Sequence, residues 1–149
     1  MTINAEDLAQ LQQLANRYWA HADMTEPAEL ADLFLPDAVF QLGTMRLEGL
    51  PAIEAFFAKR AETMAESGRT TRHMATNFLA VPETPDRVRV RASVTVFAAD
   101  GDHPLPANLP SGIADFEDIC ERTPDGSWLY RSRSASTVFV GPSAASFAR

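Results

Sequence analysis

Hydrophobic residues in the first half of the chain recur at intervals of three and four, the spacing that places them on one face of an α-helix. This pattern predicts a first helix over residues 4–22, with Asn4 as its N-terminal capping residue. A second helix is predicted over residues 25–36. Pro27 is tolerated in its first turn, and Pro36 ends it because proline disfavours helix in the residue before it. A third helix is predicted over residues 49–68, where Gly68 is a good C-terminal stop.

Beyond the third helix the hydrophobic period changes to two, which is typical of strands with one buried face. The predicted strands cover residues 38–42, 71–81, 87–97, 113–122 and 128–140. Helices followed by long antiparallel strands indicate an α+β fold, and a curved sheet folded over the three helices would enclose a pocket. We expect one domain over residues 1–140 and a loosely held C-terminal tail over residues 141–149.

Composition and charge narrow the functional class. The chain has 149 residues, which suits one domain with a hydrophobic core, and its net charge of −7 disfavours binding to nucleic acid or an anionic membrane. A single cysteine, Cys120, excludes an internal disulfide and a thiolate metal cluster. No metal-ligand spacing and no glycine-rich phosphate loop is visible, so we expect neither a metal nor a cofactor. No leader segment is recognisable, and a cytoplasmic location is expected.

Arg87, Arg89 and Arg91 alternate with apolar residues along one predicted strand. This row either binds an anion or forms the solvent-facing side of a sheet, where acids of a neighbouring strand neutralise it. The second interpretation is favoured.

Candidate chemistry lies in the run Arg72–Asn77, where His73 and Asn77 fall on alternate positions of a strand. Asp23 follows the first helix, and a carboxylate bonded to one imidazole nitrogen leaves the other nitrogen free to move a proton. Tyr18 could donate a hydrogen bond to a developing oxyanion. The alternative is structural: Asp23 caps the second helix and His73 only satisfies a buried polar contact.

A larger set of residues, taken in order and spacing, resembles the SnoaL-like domains of the nuclear transport factor 2-like superfamily over residues 5–140. These residues are Tyr18, Asp23, 33–40, Gly49, Ile53, Phe56, Phe57, 72–77, 125–128 and Arg133. The resemblance implies a cone-shaped α+β barrel, a homodimer formed through the sheet, and a deep apolar pocket. Its relatives include scytalone dehydratase, ketosteroid isomerase, polyketide cyclases and the small subunits of aromatic-ring dioxygenases.

The resemblance implies Asp23, His73 and Tyr18 as the catalytic set. Scytalone dehydratase carries a second pocket histidine on the next strand, whereas residues 87–97 contain none and Ala92 falls near the expected place. The fold therefore follows from the resemblance, but the specific dehydration reaction does not.

The resulting hypothesis is a cofactor-independent acid/base enzyme of the dehydratase, isomerase or cyclase type. Its substrate would be a small apolar or aromatic carbonyl or phenolic compound. The candidate substrate-binding residues are Trp19, Phe40, Phe57, Asn77 and Phe116. The alternative is a non-catalytic ligand-binding protein or the small structural subunit of an aromatic-ring dioxygenase, which the missing second histidine favours.

Overall fold

The computed structural model describes residues 2–145 and consists of two α-helices, a short 3₁₀ helix and six strands. In chain order these are α1 Ala5–Ala22, the 3₁₀ helix Leu30–Asp32, β1 Phe34–Leu42, β2 Met45–Glu48, α2 Leu50–Ser67, β3 Arg69–Thr84, β4 Arg87–Asp100, β5 Gly112–Arg122 and β6 Trp128–Val140.

Both α-helices begin at signals that the sequence carries, and α2 also ends at one. The Asn4 side chain accepts a hydrogen bond from the Asp7 backbone N–H at 2.8 Å and so caps α1. Proline occupies the first turn of α2. Gly68 ends that helix in the left-handed conformation with φ 63°, where its N–H reaches the Met64 carbonyl. The first and third predicted helices are confirmed.

The predicted second helix over residues 25–36 is wrong, because only the short 3₁₀ helix forms there. Phe34 starts β1 and pairs in parallel with Tyr130 of β6. The Tyr130 N–H donates to the Leu33 carbonyl at 2.8 Å. Sheet hydrogen bonds therefore override the helical spacing of the apolar residues, as tertiary contacts often do. Residues 2–145 therefore contain two α-helices in front of the sheet instead of three.

The six strands form one sheet in the order β2-β1-β6-β5-β4-β3. The β1–β6 pair is parallel and every other pair is antiparallel, so the sheet is mostly antiparallel. β2 and β3 form the two edges and do not pair with each other, which corrects the expectation of a barrel: the sheet is open. Helix α2 packs against β1, β2 and β3 and so covers the space between the edges.

Strand β3 continues past its predicted end. Pro82 does not break it but pairs with Val88 of β4. An edge strand tolerates proline because one row of its N–H groups needs no partner within the sheet. The pairing register shifts between Thr76 and Leu79, and this bulge bends the strand.

The arginine row of β4 lies on the solvent-facing side of the sheet, as favoured. The Arg91 Nε atom donates to Glu117 at 2.8 Å, and Arg87 and Arg89 form ion pairs with Glu83. Its charges are therefore neutralised by neighbouring carboxylates.

The apolar side of the sheet packs against both helices and forms the core. Its largest fully buried apolar side chains are Tyr130, Phe34, Phe40, Leu11, Leu33 and Ile53. Over residues 2–145, neither helix combines the length and the hydrophobicity needed to span a bilayer.

The first residues of the predicted tail are bonded to the sheet. The Gly141 N–H donates to the Ser111 carbonyl at 2.7 Å, and Arg69 donates to the Ser143 carbonyl at 2.9 Å. Residues 146–149 of the predicted tail lie outside the described residues.

Candidate active site

A cavity of about 430 Å³ lies between the two helices and the inner face of the sheet. Its wall is mostly apolar, with residues from α1, α2, strands β3 to β6 and the end of β1. Residues Ser143 to Ala145, beyond β6, complete the wall. This volume lies within the range of small-molecule sites in proteins.

Asp23 and His73 are in direct contact at one side of this cavity. The Oδ1 atom of Asp23 lies 2.6 Å from Nδ1 of His73, and Oδ2 accepts the His73 backbone N–H at 2.8 Å. The Thr71 hydroxyl donates to Oδ1 at 2.8 Å. Asp23 is only 8% exposed and lies behind the cavity wall, whereas Thr71 and His73 line the wall. The carboxylate therefore holds the imidazole in one orientation.

Local backbone structure explains how residues fifty positions apart meet. Helix α1 ends at Ala22, and the Asp23 N–H completes the last turn by donating to the Trp19 carbonyl at 2.9 Å. Met24 then adopts a positive φ of 56°, which turns the chain away from the helix axis. On β3, Thr71 and His73 point to the same face because side chains alternate along a strand. The structural alternative for Asp23, capping a second helix, is wrong because that helix is absent.

The pKa of Asp23 is lowered. Burial alone would raise this pKa, but the hydrogen bonds and charge of His73 and the hydroxyl of Thr71 outweigh it. The group is therefore a carboxylate at neutral pH and can only accept, so Nδ1 of His73 must donate. The imidazole is left with Nε2 for a ligand.

One aromatic side chain of α1 stacks on this pair, and a second lines the same cavity. The Trp19 ring stacks on the His73 ring with centroids 4.7 Å apart and planes inclined by 21°. Tyr18 also lines the cavity, and burial raises its pKa to about 12. Its hydroxyl therefore remains protonated at neutral pH and can act as a hydrogen-bond donor.

The structure divides the predicted substrate-binding residues into two groups. Trp19, Phe57 and Phe116 line the cavity together with Tyr18 and His73. Phe40 is fully buried in the core and is not part of the wall. Asn77 is exposed at the bulge of β3 with a positive φ of 56°, away from the wall.

Arg60 of α2 is a site residue that the sequence interpretation missed. Its guanidinium donates to the Thr71 hydroxyl at 3.2 Å and to the Ala22 carbonyl, so it joins α2 to both elements that carry the pair. A signal did exist, because position 60 lies three residues after the buried Phe57 and four before the buried Met64. A charged residue on the buried stripe of a helix indicates a polar interior.

A second buried ionic pair lies behind the aromatic wall. Arg133 is 2% exposed, and its Nε lies 3.7 Å from Oδ1 of Asp118 on the adjacent strand. The guanidinium lies over the Tyr18 ring at 3.8 Å and the Trp19 ring at 4.7 Å. Cation–π contacts of this kind fix the position of both rings. In the sequence, Arg133 was identified only as part of the family resemblance, and nothing indicated that it would pack against the aromatic rings.

Metal ligands do not cluster in the described part of the chain: residues 2–145 contain no group of three or more His, Cys, Asp or Glu side chains that could hold an ion. His21 accepts the Ala28 N–H at Nδ1, 3.1 Å away, and so supports the loop after α1. The polar side chains at the wall of the cavity or directly behind it include Asp23, His73, Tyr18 and Arg60.

Comparison with known protein families matches residues 4–134 to the SnoaL-like domain. No curated protein matches the chain significantly. The solved structures that resemble it share its fold at low identity. A putative scytalone dehydratase from Novosphingobium aromaticivorans has a TM-score of 0.74 and 21% identity, covering 93% of this chain and 89% of that one.

Two further solved structures have the same architecture. ActVI-ORFA from Streptomyces coelicolor has a TM-score of 0.76 and 16% identity, covering 93% of this chain and 100% of that one. A protein from Catenulispora acidiphila, solved in complex with S-DNPA, has a TM-score of 0.70 and 24% identity, covering 90% and 95% of the two chains. These likenesses show the fold.

Proposed function

Because the chain belongs to the SnoaL-like domain family, we propose that it is a cofactor-independent acid/base enzyme of the lyase or isomerase type. Its substrate is a small apolar or aromatic carbonyl or phenolic compound. The observation that carries the proposal is the Asp23–His73 contact of 2.6 Å, formed beside Trp19 at the wall of an apolar cavity.

In this proposal His73 moves the proton and Asp23 orients the His73 ring. Nε2 takes a proton from the carbon next to a substrate carbonyl, and the electron pair of the broken C–H bond passes to the carbonyl oxygen. The carbonyl then re-forms, and the electron pair released from its oxygen has two outcomes. It can form a C=C bond as the C–O bond of a hydroxyl on the next carbon breaks and that hydroxyl takes the imidazolium proton, which gives dehydration, or it can form a new C–H bond with this proton at another carbon, which gives isomerisation. Asp23 keeps Nδ1 protonated and stabilises the positive ring.

Tyr18 supplies the donor for the oxygen that gains charge. Its hydroxyl is protonated because its pKa is about 12, and it belongs to the same cavity wall as His73. The apolar surroundings strengthen such a hydrogen bond, since little water competes for it. The similar structure solved with S-DNPA supports a ligand site in this fold.

Hydrogen–deuterium exchange tests the first step without knowledge of the natural substrate. β-Tetralone, an aromatic ketone, is incubated with the protein in D₂O and exchange at the carbons next to the carbonyl is followed by NMR. The wild type should accelerate exchange over buffer, and His73→Ala and Asp23→Asn should each lower the enzymatic rate by about 10²-fold or more. His103→Ala, in an exposed loop, is the matched control and should keep the rate.

Two results would refute this assignment. Exchange at the buffer rate with wild-type protein would remove the catalytic case for this class of ketone. Full activity in folded His73→Ala protein would show that another group moves the proton.

One observation favours a non-catalytic ligand-binding protein as the second candidate. His73 is the only imidazole among the described residues that line the cavity, so no second histidine shares the proton transfer. For a ligand-binding protein, native mass spectrometry should show a small molecule that remains bound through purification. Hydrogen–deuterium exchange of β-tetralone should then be no faster than in buffer.

A further inference from the structure

The charged residues that line the cavity have one sign. Three are basic, namely Lys59, Arg60 and Arg69, and none of the described lining residues is an Asp or Glu. The whole chain has the opposite balance, with 20 acidic and 13 basic residues. A wall without acids in an acidic protein indicates a cavity that favours an anion.

Arg60 differs from the other two basic residues in its partners. Lys59 pairs with Glu62 and its side chain is 71% exposed, while Arg69 pairs with Asp100 and is 29% exposed. Arg60 is half-buried, and across residues 2–145 no carboxylate lies within ion-pair distance of it. A partly buried cation without a counter-ion is costly to keep, and a bound anion would offset that cost.

The charge of Asp23 acts on Arg60, but the oxygens of that carboxylate are already engaged. Three donors occupy them, the Thr71 hydroxyl and the backbone and ring N–H groups of His73. A guanidinium carries five N–H donors, and Thr71 and Ala22 each accept one bond from Arg60. Arg60 therefore keeps N–H donors beyond these two bonds, and it lines the same cavity as Thr71 and His73.

We propose that the ligand of this cavity is an apolar, aromatic molecule that bears a carboxylate, and that Arg60 binds this carboxylate. The apolar wall receives the ring system, and Arg60 holds the charged end close to His73, so Arg60 is a specificity-determining residue. The inference rests on the proposed function only in taking this cavity as the substrate site.

A matched pair of probes tests it. β-Naphthoate and β-naphthamide have nearly the same shape and differ in charge, and each is titrated into the intact protein by isothermal calorimetry. The wild type should bind the carboxylate at least about tenfold more tightly than the amide. Raising the salt concentration from about 20 to about 200 mM should weaken the binding of β-naphthoate and leave the binding of β-naphthamide nearly unchanged.

Variants of three basic residues locate the effect. Arg60→Gln should abolish the preference for the carboxylate, and Arg60→Lys should keep part of it because the charge remains. Arg46→Gln, which removes a charge outside the cavity, should change the affinity by less than about twofold, whereas Lys59→Gln, which removes a lining charge that Glu62 already pairs, should leave the preference for the carboxylate in place. Circular dichroism and the melting temperature establish that each variant is folded.

Three outcomes would overturn the inference: equal binding of the two probes, an unchanged preference in folded Arg60→Gln protein, or no binding of β-naphthoate at about 1 mM. The wild-type comparison decides the question even where Arg60→Gln fails to fold. Because calorimetry needs no turnover, a carboxylate preference without β-tetralone exchange would refute the proposed function alone, and exchange without the preference would refute this inference alone.

Discussion

Asp23→Asn probes the contact on which the account depends. The substitution keeps the shape of the side chain but replaces one acceptor oxygen by an NH₂ group that faces a donor. Asp23 accepts three hydrogen bonds at 2.6 to 2.8 Å while buried. At least one buried donor therefore loses its partner, and we expect the free energy of unfolding to fall by about 1 to 3 kcal/mol at neutral pH.

The dependence of this loss on pH follows from the lowered pKa of Asp23. A group whose pKa is lower in the folded than in the unfolded state contributes stability above its unfolded pKa, about 3.9 for Asp. That contribution is lost as the pH falls through the folded pKa. The stability difference between wild type and Asp23→Asn that is present at about pH 7 and about pH 5 should therefore shrink towards about pH 3.

Urea unfolding of both proteins at these three pH values measures the difference. Asp102→Asn, an exposed carboxylate in the loop after β4, is the matched control and should leave stability unchanged at each pH. Equal stabilities of wild type and Asp23→Asn at neutral pH, or a difference that does not shrink in acid, would contradict the bonding described for Asp23.

Three further predictions concern other buried groups. The chain has two tyrosines, Tyr18 and Tyr130, and burial raises the pKa of each. An alkaline absorbance titration of the folded protein should therefore show no tyrosinate step near pH 10. A step at that pH would contradict the burial of these hydroxyls. Cys120 is buried, and burial also raises the pKa of its thiol. This thiol should therefore react with a disulfide reagent at least about tenfold faster in denaturant than in the folded state. Equal rates would place Cys120 at the surface. Arg133→Met should destabilise the fold by about 3 to 5 kcal/mol because it leaves Asp118 buried and unpaired, and adding Asp118→Leu should recover part of that loss; additive losses would show that the two groups do not interact.

The sequence predicts helices α1 and α2 and the long strands well because each carries local signals. Asn4 and Gly68 mark helix ends through their own backbone and side-chain chemistry. The second predicted helix fails because Phe34 is bound to a strand almost a hundred residues away, and no local pattern shows that pairing.

The candidate site divides in the same way. Asp23 and His73 could be proposed because one follows the first helix and the other lies on an alternating strand, and a resemblance to known proteins marked both. The alternation of β3 correctly turns His73 inward. The same alternation fails for Asn77, since the bulge between Thr76 and Leu79 resets the register. Arg60 could not be placed, because its partners Ala22 and Thr71 come together only when α2 packs across the end of α1 and β3.

The most direct test of the Asp23–His73 contact is an NMR measurement of the ring nitrogens of His73 at neutral pH. Long-range ¹H–¹⁵N spectra, assigned with His73→Ala, distinguish a protonated from an unprotonated Nδ1. We expect Nδ1 of His73 to carry a proton donated to Asp23. Nδ1 of His21, which accepts the Ala28 N–H, should be unprotonated and serves as the internal reference. An unprotonated Nδ1 on His73 in the wild type would contradict the account.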